Sequence, residues 1–583
     1  MASLTLVHLL LAASILTPTF GRLCTSPSQL RGNTYDYIVV GAGTAGNVIA
    51  ARLAESGHND ILVLEAGVSN EGVLASQVPL MAPTLTPSTP NLPSICYDAH
   101  ASGSLADTPY DWNYTVVPQT HLNGRTFPFS RGRILGGSSS VNYMVHHYGS
   151  SEDYDRLARI TGDSGWAWKN MRPYIDRHER FVPPADGHDT TGQYIPSLHS
   201  TRGILPKSLP GFSHAIDSRV IATTQELSAE FPFSPDTGGG NVLGLGWAQS
   251  SIGGGTRSSS ATTYLNSVIN RRNVDVLVNA QVTKLVHTGK IGGKPSFRGV
   301  QFASGPQAPT TNAFARKEVI LCAGSFGTPQ ILQLSGIGDR TELTSKSITT
   351  IVNNPSVGKN MSDHVLLPNN WLVRGTESLD NLLRDPVAFG AALDQWQASK
   401  TGPLANGIPN HLGFFRLPNN SSIFATTPDP ASGPKASHWE LLVSNFWVNP
   451  SLPRPDTGSY LTLTVALISP TSRGTLKLAS NNPFQAPLID PNFLATDFDR
   501  YTMRESVRAI KRFTGANAWS DYIIGPVGAL AAQTDEGIDA YVRSVSSTIF
   551  HPVGTASISP RNAAWGCGGP RVKVEGCGGR EDR

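Results

Sequence analysis

Three groups of residues in this chain have the types and spacing to do chemistry. Gly41, Gly43 and Gly46 stand in the order G-x-G-x-x-G, and Glu65 follows 19 residues after Gly46. In such a unit the first glycine permits a tight turn, and the second lets backbone approach a pyrophosphate. The third lets a helix pack on a strand, and a carboxylate at that distance can bind two ribose hydroxyls. A second glycine turn, RGRILGGSSSVNYM, carries Arg131, Arg133, Gly136, Gly137 and Ser138. Its glycines allow close backbone approach and its guanidinium groups can meet phosphate. The third group is IFHPVGTAS, with His551 between Phe550 and Pro552. An imidazole has an unperturbed pKa of about 6.5 and suits a general base near neutral pH. Taken alone, one histidine among 15 is ordinarily surface or hydrogen-bonded filler.

The elements around the first glycines complete a dinucleotide unit. Tyr37 to Val40 reads as a short apolar strand, and Thr44 to Glu55 as a helix that packs through Val48, Ala51 and Leu53. Ile61 to Leu64 reads as a second strand ending at Glu65. Strand, glycines, helix, strand and acid together define a dinucleotide site, for either NAD or FAD. Further on, Val319-Ile320-Leu321 is followed by a small-residue turn and a helix ending at Ser335-Gly336. The alternating NVDVLVNAQVTKLV fits strands.

A chain of 583 residues is too long for one core, so at least two domains are expected. Hydrophobic residues are 39% and charged residues 15%, a globular composition. Net charge is +3, from 46 basic and 43 acidic residues with no basic run, which argues against a nucleic-acid partner. The apolar run Leu4 to Leu16 has the length of a signal-peptide core and is too short to span a bilayer. Residues 1–21 are read as that signal, which predicts secretion and no membrane anchor. A secreted enzyme has little access to diffusible nicotinamide, so a tightly held flavin is favoured. Asn113, Asn360, Asn419 and Asn420 open glycosylation triplets. The five cysteines form neither a disulfide framework nor a zinc pattern, so no metal is expected.

The motifs quoted above, with LEAGVSNEGVL, DWNYT, VPPADGHDTTGQYIPS, GTPQILQLSGIGD, NNPSVGKNMSDH and RPDTGS, resemble the glucose-methanol-choline family of flavin oxidoreductases. The resemblance runs from about Tyr35 to Val574 and looks most like the fungal aryl-alcohol oxidases. It implies a mixed α/β fold, a Rossmann-like FAD domain interleaved with an antiparallel substrate-binding sheet backed by helices. The FAD domain would take 35–150, 250–365 and 546–583, and the substrate domain 151–249 and 366–545. It assigns the base to His551, aromatic site walls to Tyr143 and Phe550, and cofactor contacts to Asn142 and to backbone at Val282. A third aromatic wall position reads Val448, with Phe446 and Trp447 beside it. Some relatives tether FAD through a histidine at the position of Val141, so FAD here is expected to be non-covalent. The implied reaction oxidises an aryl or conjugated primary alcohol and reduces oxygen to hydrogen peroxide, in a monomer. A quinone-reducing dehydrogenase, an FAD-dependent hydroxynitrile lyase and an inactive truncated flavoprotein are the alternatives. Two departures stand out. Residues 86–109 have no family counterpart, and Cys-Gly-Gly at 567–569 replaces expected apolar and acidic residues. A truncated C-terminus, lacking a polar partner for the base and a closing helix, is therefore expected.

Overall fold

The computed structural model describes residues 22–86, 108–561, 563–569, 573–574 and 577. The expected signal peptide, and residues 87–107 of the unmatched insertion, lie outside the described residues. The strands of the two large sheets are β1 (Arg22–Cys24), β2 (Thr34–Val40), β3 (Ile61–Leu64), β4 (Gly244–Trp247), β5 (Val274–Leu277), β6 (Gln281–Ile291) and β7 (Lys294–Ala303). They continue with β8 (Thr311–Leu321), β9 (Val365–Val373), β10 (His411–Phe415), β11 (Trp439–Ser444), β12 (Ser459–Leu467), β13 (Ile523–Pro526) and β14 (Ser547–Thr548). The helices that matter below are α1 (Gly46–Ala54), α2 (Trp168–His178), α3 (Gly324–Leu334), α4 (Asp497–Thr514) and α5 (Asp535–Val545).

The first sheet has the order β1-β5-β3-β2-β8-β7-β6. Its first five strands run parallel, and β7 and β6 extend it antiparallel. A sheet covered on both faces needs strands that are apolar on both sides. The alternation is exact enough to sort residues by face. Val39, Ile61, Val63, Val274 and Val276 meet the small residues Ala50, Ala51 and Ala54 of α1. Ile38, Val40, Leu62, Leu64 and Leu277 meet Ile331 and Leu332 of α3. The register aligns Val40 with Leu64 and Leu321, and Leu64 with Leu277. The residues that follow these ends, Gly41, Glu65 and Cys322, therefore share one edge, where open α/β sheets place their ligands.

The second sheet is antiparallel, in the order β13-β9-β12-β11-β10-β4, with β14 added beside β9. Period-2 residues Val365, Leu367, Trp371 and Val373, with Leu461, Leu463, Val465 and Leu467, form its packed face. Met503, Val507, Ile510 and Phe513 of α4, and Ile538, Tyr541 and Val542 of α5, cover that face. This is the mixed α/β fold expected. The details shift. The helix expected over Thr44–Glu55 starts at Gly46, because Thr44 and Ala45 form the turn that enters it. Strand β1 joins the first sheet ahead of residue 35, and β14, at 547–548, pairs with the second sheet.

Candidate active site

A cleft of about 940 Å³ opens at the carboxyl ends of β2, β3 and β8. Gly41, Gly43, Glu65, Gly137, Ser138 and Val282 lie on its wall, six of the residues singled out from sequence. The two glycine turns face each other across it. A Cβ on Gly137 would sit 2.7 Å from the Gly43 Cα, and Gly137 has φ +52°, so Gly137 needs bare backbone for the turns to approach this closely. The Gly136 amide donates to the Ala42 carbonyl at 2.8 Å and locks the turns together. Gly46 sits behind the wall, where a Cβ would lie 1.9 Å from the Gly41 carbonyl oxygen. That is the close helix-to-strand packing the spacing demands.

Both helix N-termini at this edge lack a capping side chain, at Ala45 for α1 and Ala323 for α3. Uncapped amides at a positive dipole end are an anion site. The Glu65 carboxyl accepts from the Ala42 amide at 2.9 Å and the Gly67 amide at 2.8 Å. Burial pushes its pKa up to about 7, against the pull of those amides and of Arg133. Arg133 itself stacks on Trp112, 5.4 Å from the ring centroid, and only Trp112 reaches the cleft wall. Asn142 is also off the wall, its Oδ1 held by Arg257 Nη1 at 2.8 Å and by the Met144 amide at 3.2 Å. Bare glycine backbone, two free helix ends and a carboxylate suit a dinucleotide with a pyrophosphate centre.

Val553 to Ala556, the residues directly after His551 and Pro552, also line the cleft. The His551 amide donates to Asp363 Oδ1 at 2.8 Å, and Thr548 Oγ1 donates to Asp363 Oδ2 at 2.6 Å. Its ring Nδ1 lies 3.2 Å from Nδ1 of His364. The residue keeps an exposed face, yet protein surrounds it deeply. That desolvation, with the Arg131 charge nearby, lowers the His551 pKa to about 4. Burial and His551 lower His364 to about 3, and burial raises Asp363 to about 7. At neutral pH both imidazoles are therefore uncharged. Phe550, just before the base candidate, has φ +66°, a left-handed conformation a bulky residue rarely takes. Its carbonyl accepts from Arg131 Nη1 at 2.7 Å and its amide donates to Thr548 Oγ1 at 2.7 Å.

The two aromatic wall candidates fall in different clusters. Phe550 packs edge-on to Phe129, at 6.1 Å between centroids, in the cluster that holds Phe326 of α3. Tyr143 joins Phe446 and Val448 in an apolar cluster with Phe389 and Trp396. Sequence reasoning gave no role to Asp363 or His364. Their only signal was the Asp-His pair closing NNPSVGKNMSDH.

Fold and cleft together define a dinucleotide-binding architecture. Family models described as GMC oxidoreductase match residues 35–366 and 470–579, and the chain belongs to that family of FAD-dependent oxidoreductases. It is 38% identical over 558 residues to pyranose dehydrogenase 3 of Leucoagaricus meleagris, covering 94% of this chain and 87% of that one. Among solved structures, a fungal aryl-alcohol oxidase superposes with TM-score 0.77 at 25% identity, covering 94% of this chain and 93% of that one. An FAD-dependent oxidoreductase from Chaetomium thermophilum gives TM-score 0.78 at 26% identity, with the same coverages of 94% and 93%. The C-terminal family match extends to residue 579, so the expectation of a truncated C-terminus finds no support.

Proposed function

We propose that this protein oxidises the alcohol group of a small molecule, with non-covalent FAD in the 940 Å³ cleft and His551 as the base. The observation that carries this reading is the neutral imidazole pair, His551 against His364 at 3.2 Å, two residues before the cleft-lining Val553. FAD, when bound, supplies the acceptor for the hydride on the alcohol carbon. The chain's own residues handle the proton. Of the two nitrogens facing each other, one must donate. If His551 Nδ1 donates to His364, the His551 Nε2 lone pair is free to take the hydroxyl proton. The imidazolium formed still donates through Nδ1, so His364 stabilises it without changing partner. Asp363 fixes the backbone of His551 rather than its ring. Val141, rather than histidine, at the tethering position supports the non-covalent mode.

The aromatic wall positions that the family resemblance assigns to Tyr143 and Phe550 support a flat, apolar aryl or conjugated alcohol, with oxygen as acceptor. A second reading, oxidation of a sugar with a quinone acceptor, is favoured by the 38% identity to a pyranose dehydrogenase. The leader-like N-terminus and exposed Asn113, Asn360, Asn419 and Asn420 support secretion as a glycoprotein. Anaerobic mixing with an aryl alcohol or a pyranose, watched by flavin absorbance, tests these readings. Bleaching by the aryl alcohol and re-oxidation by air support the oxidase. Bleaching by the sugar and re-oxidation only by quinone support the dehydrogenase. A bound flavin that no alcohol bleaches refutes both, and mandelonitrile cleavage by that flavoprotein would identify the lyase.

A further inference from the structure

A second cleft, of about 730 Å³, shares no lining residue with the first. Five arginines line it: Arg52 from α1, Arg177 at the end of α2, Arg180, Arg202 and Arg257. No aspartate or glutamate is among its lining residues. Of the five, Arg52 has an acidic partner, Glu55, one turn along its own helix. Arg52, Arg177, Arg180 and Arg202 are exposed, and like charges around one cleft repel unless an anion joins them.

Arg257 is the informative member. It is 3% exposed, and its Nη1 donates to the Ser139 carbonyl at 3.2 Å and to Asn142 Oδ1 at 2.8 Å. Its Nε and Nη2 are buried and have no hydrogen-bond partner among the described residues. A buried guanidinium with two idle donors is costly, and a guanidinium fork matches phosphate and carboxylate geometry. A polar wall with a surplus of fixed positive charge, and a buried donor pair with nothing to bind, both call for a ligand of opposite sign.

We propose that this cleft binds an oligoanion, a molecule carrying two or more phosphate, sulfate or carboxylate groups, at a site separate from the FAD cleft. A volume of about 730 Å³ suits a molecule of disaccharide or nucleotide size rather than a single ion. The bound anion also touches the reaction site indirectly. Arg257 links this cleft to Asn142 and Ser139, in the same loop as Gly137 and Ser138 of the FAD cleft wall.

The test is calorimetric titration of FAD-saturated protein with tripolyphosphate and, separately, with citrate, each at low and at 0.3 M salt. Saturation of the FAD cleft removes it as a competing phosphate site. Saturable one-to-one binding of either anion, weakened at least tenfold in the R180A/R202A double variant with flavin-dependent turnover unchanged, supports the site. Tripolyphosphate alone would identify phosphate as the recognised chemistry, and citrate alone carboxylate. Absence of saturable binding by both anions, or equal affinity in the double variant, overturns the proposal. A second variant, Arg257→Lys, removes the fork while keeping the charge, and it must also weaken binding for the buried donors to matter.

Discussion

Two glycines three residues apart should fail in opposite ways when given a methyl group. In Gly46→Ala the new Cβ lies 1.9 Å from the Gly41 carbonyl oxygen, where side-chain carbons do not come closer than 3.0 Å. Helix α1 must move at least 1.1 Å off β2 (3.0 minus 1.9) to admit it. Overpacking of this kind costs about 1–3 kcal/mol. In Gly43→Ala the nearest protein atom is the Gly137 Cα at 3.8 Å, an ordinary contact, and Gly43 is not in the left-handed region. The fold of the flavin-free protein is then unaffected, and the methyl projects only where a pyrophosphate must approach. The expected loss is about 10- to 100-fold in FAD affinity, about 1.4–2.8 kcal/mol. Thermal melts of flavin-free protein and fluorescence titration with FAD separate the two. Gly46→Ala should melt several degrees lower before any FAD is added. Gly43→Ala should melt like the parent and bind FAD weakly. A Gly43→Ala protein with parental FAD affinity, or with a melt lowered as far as Gly46→Ala, would refute the assignment of the glycine roles.

Replacing the base candidate, His551→Asn, should slow flavin reduction by alcohol by ~10²–10⁴ while FAD content stays unchanged, as stopped-flow and absorbance would show. FAD is retained because His551 is off the cleft wall and its structural bond to Asp363 runs through the backbone amide. The rate should rise with pH through about 4, as His551 loses its proton, and stay level through neutrality. In Arg131→Met the acidic limb should move upward, since burial and the Arg131 charge both hold that pKa down; an unmoved limb would count against His551 as the titrating group. Burial raises Glu440 to about 8, so the folded protein keeps a proton that the unfolded chain releases near its ordinary value of 4.5. The stability this group removes therefore grows as pH rises from 4.5 and levels off above about 8. Glu440→Gln should melt higher than the parent at pH 8 and close to it at pH 4.5; the same difference at both would disprove this account.

The parts of the site that could be read from sequence are those whose chemistry is local. Gly41 to Glu65 lie on one strand–turn–helix–strand unit, so spacing alone places the glycines and the acid at one sheet edge. Alternating apolar residues likewise fix which sheet face each side chain serves. What could not be read was the meeting of distant segments. His364 and His551 are 187 residues apart and meet where β14 pairs with β9 and Ser362 bridges Val553. Arg257 reaches Asn142 across 115 residues, and no local pattern announces that contact. The second glycine turn points Arg133 at phosphate and the family resemblance assigns Asn142 to the cofactor, yet neither lines the cleft: Arg133 stacks on Trp112 and Asn142 is held by Arg257. Phe550 shows the converse, a residue whose neighbours in sequence gave no sign of its left-handed backbone.

The pairing of β14 with β9 has a consequence for how this sequence can vary. Ser547 and Thr548 bond to Leu366 and Val365, so the chain leaves one strand for His551 just where the other has left His364. One residue inserted between Thr548 and His551, or between His364 and Val365, would shift one imidazole along its arm and break the 3.2 Å contact between them. Insertions and deletions should therefore be tolerated in the loops around the antiparallel sheet and forbidden in these two short arms.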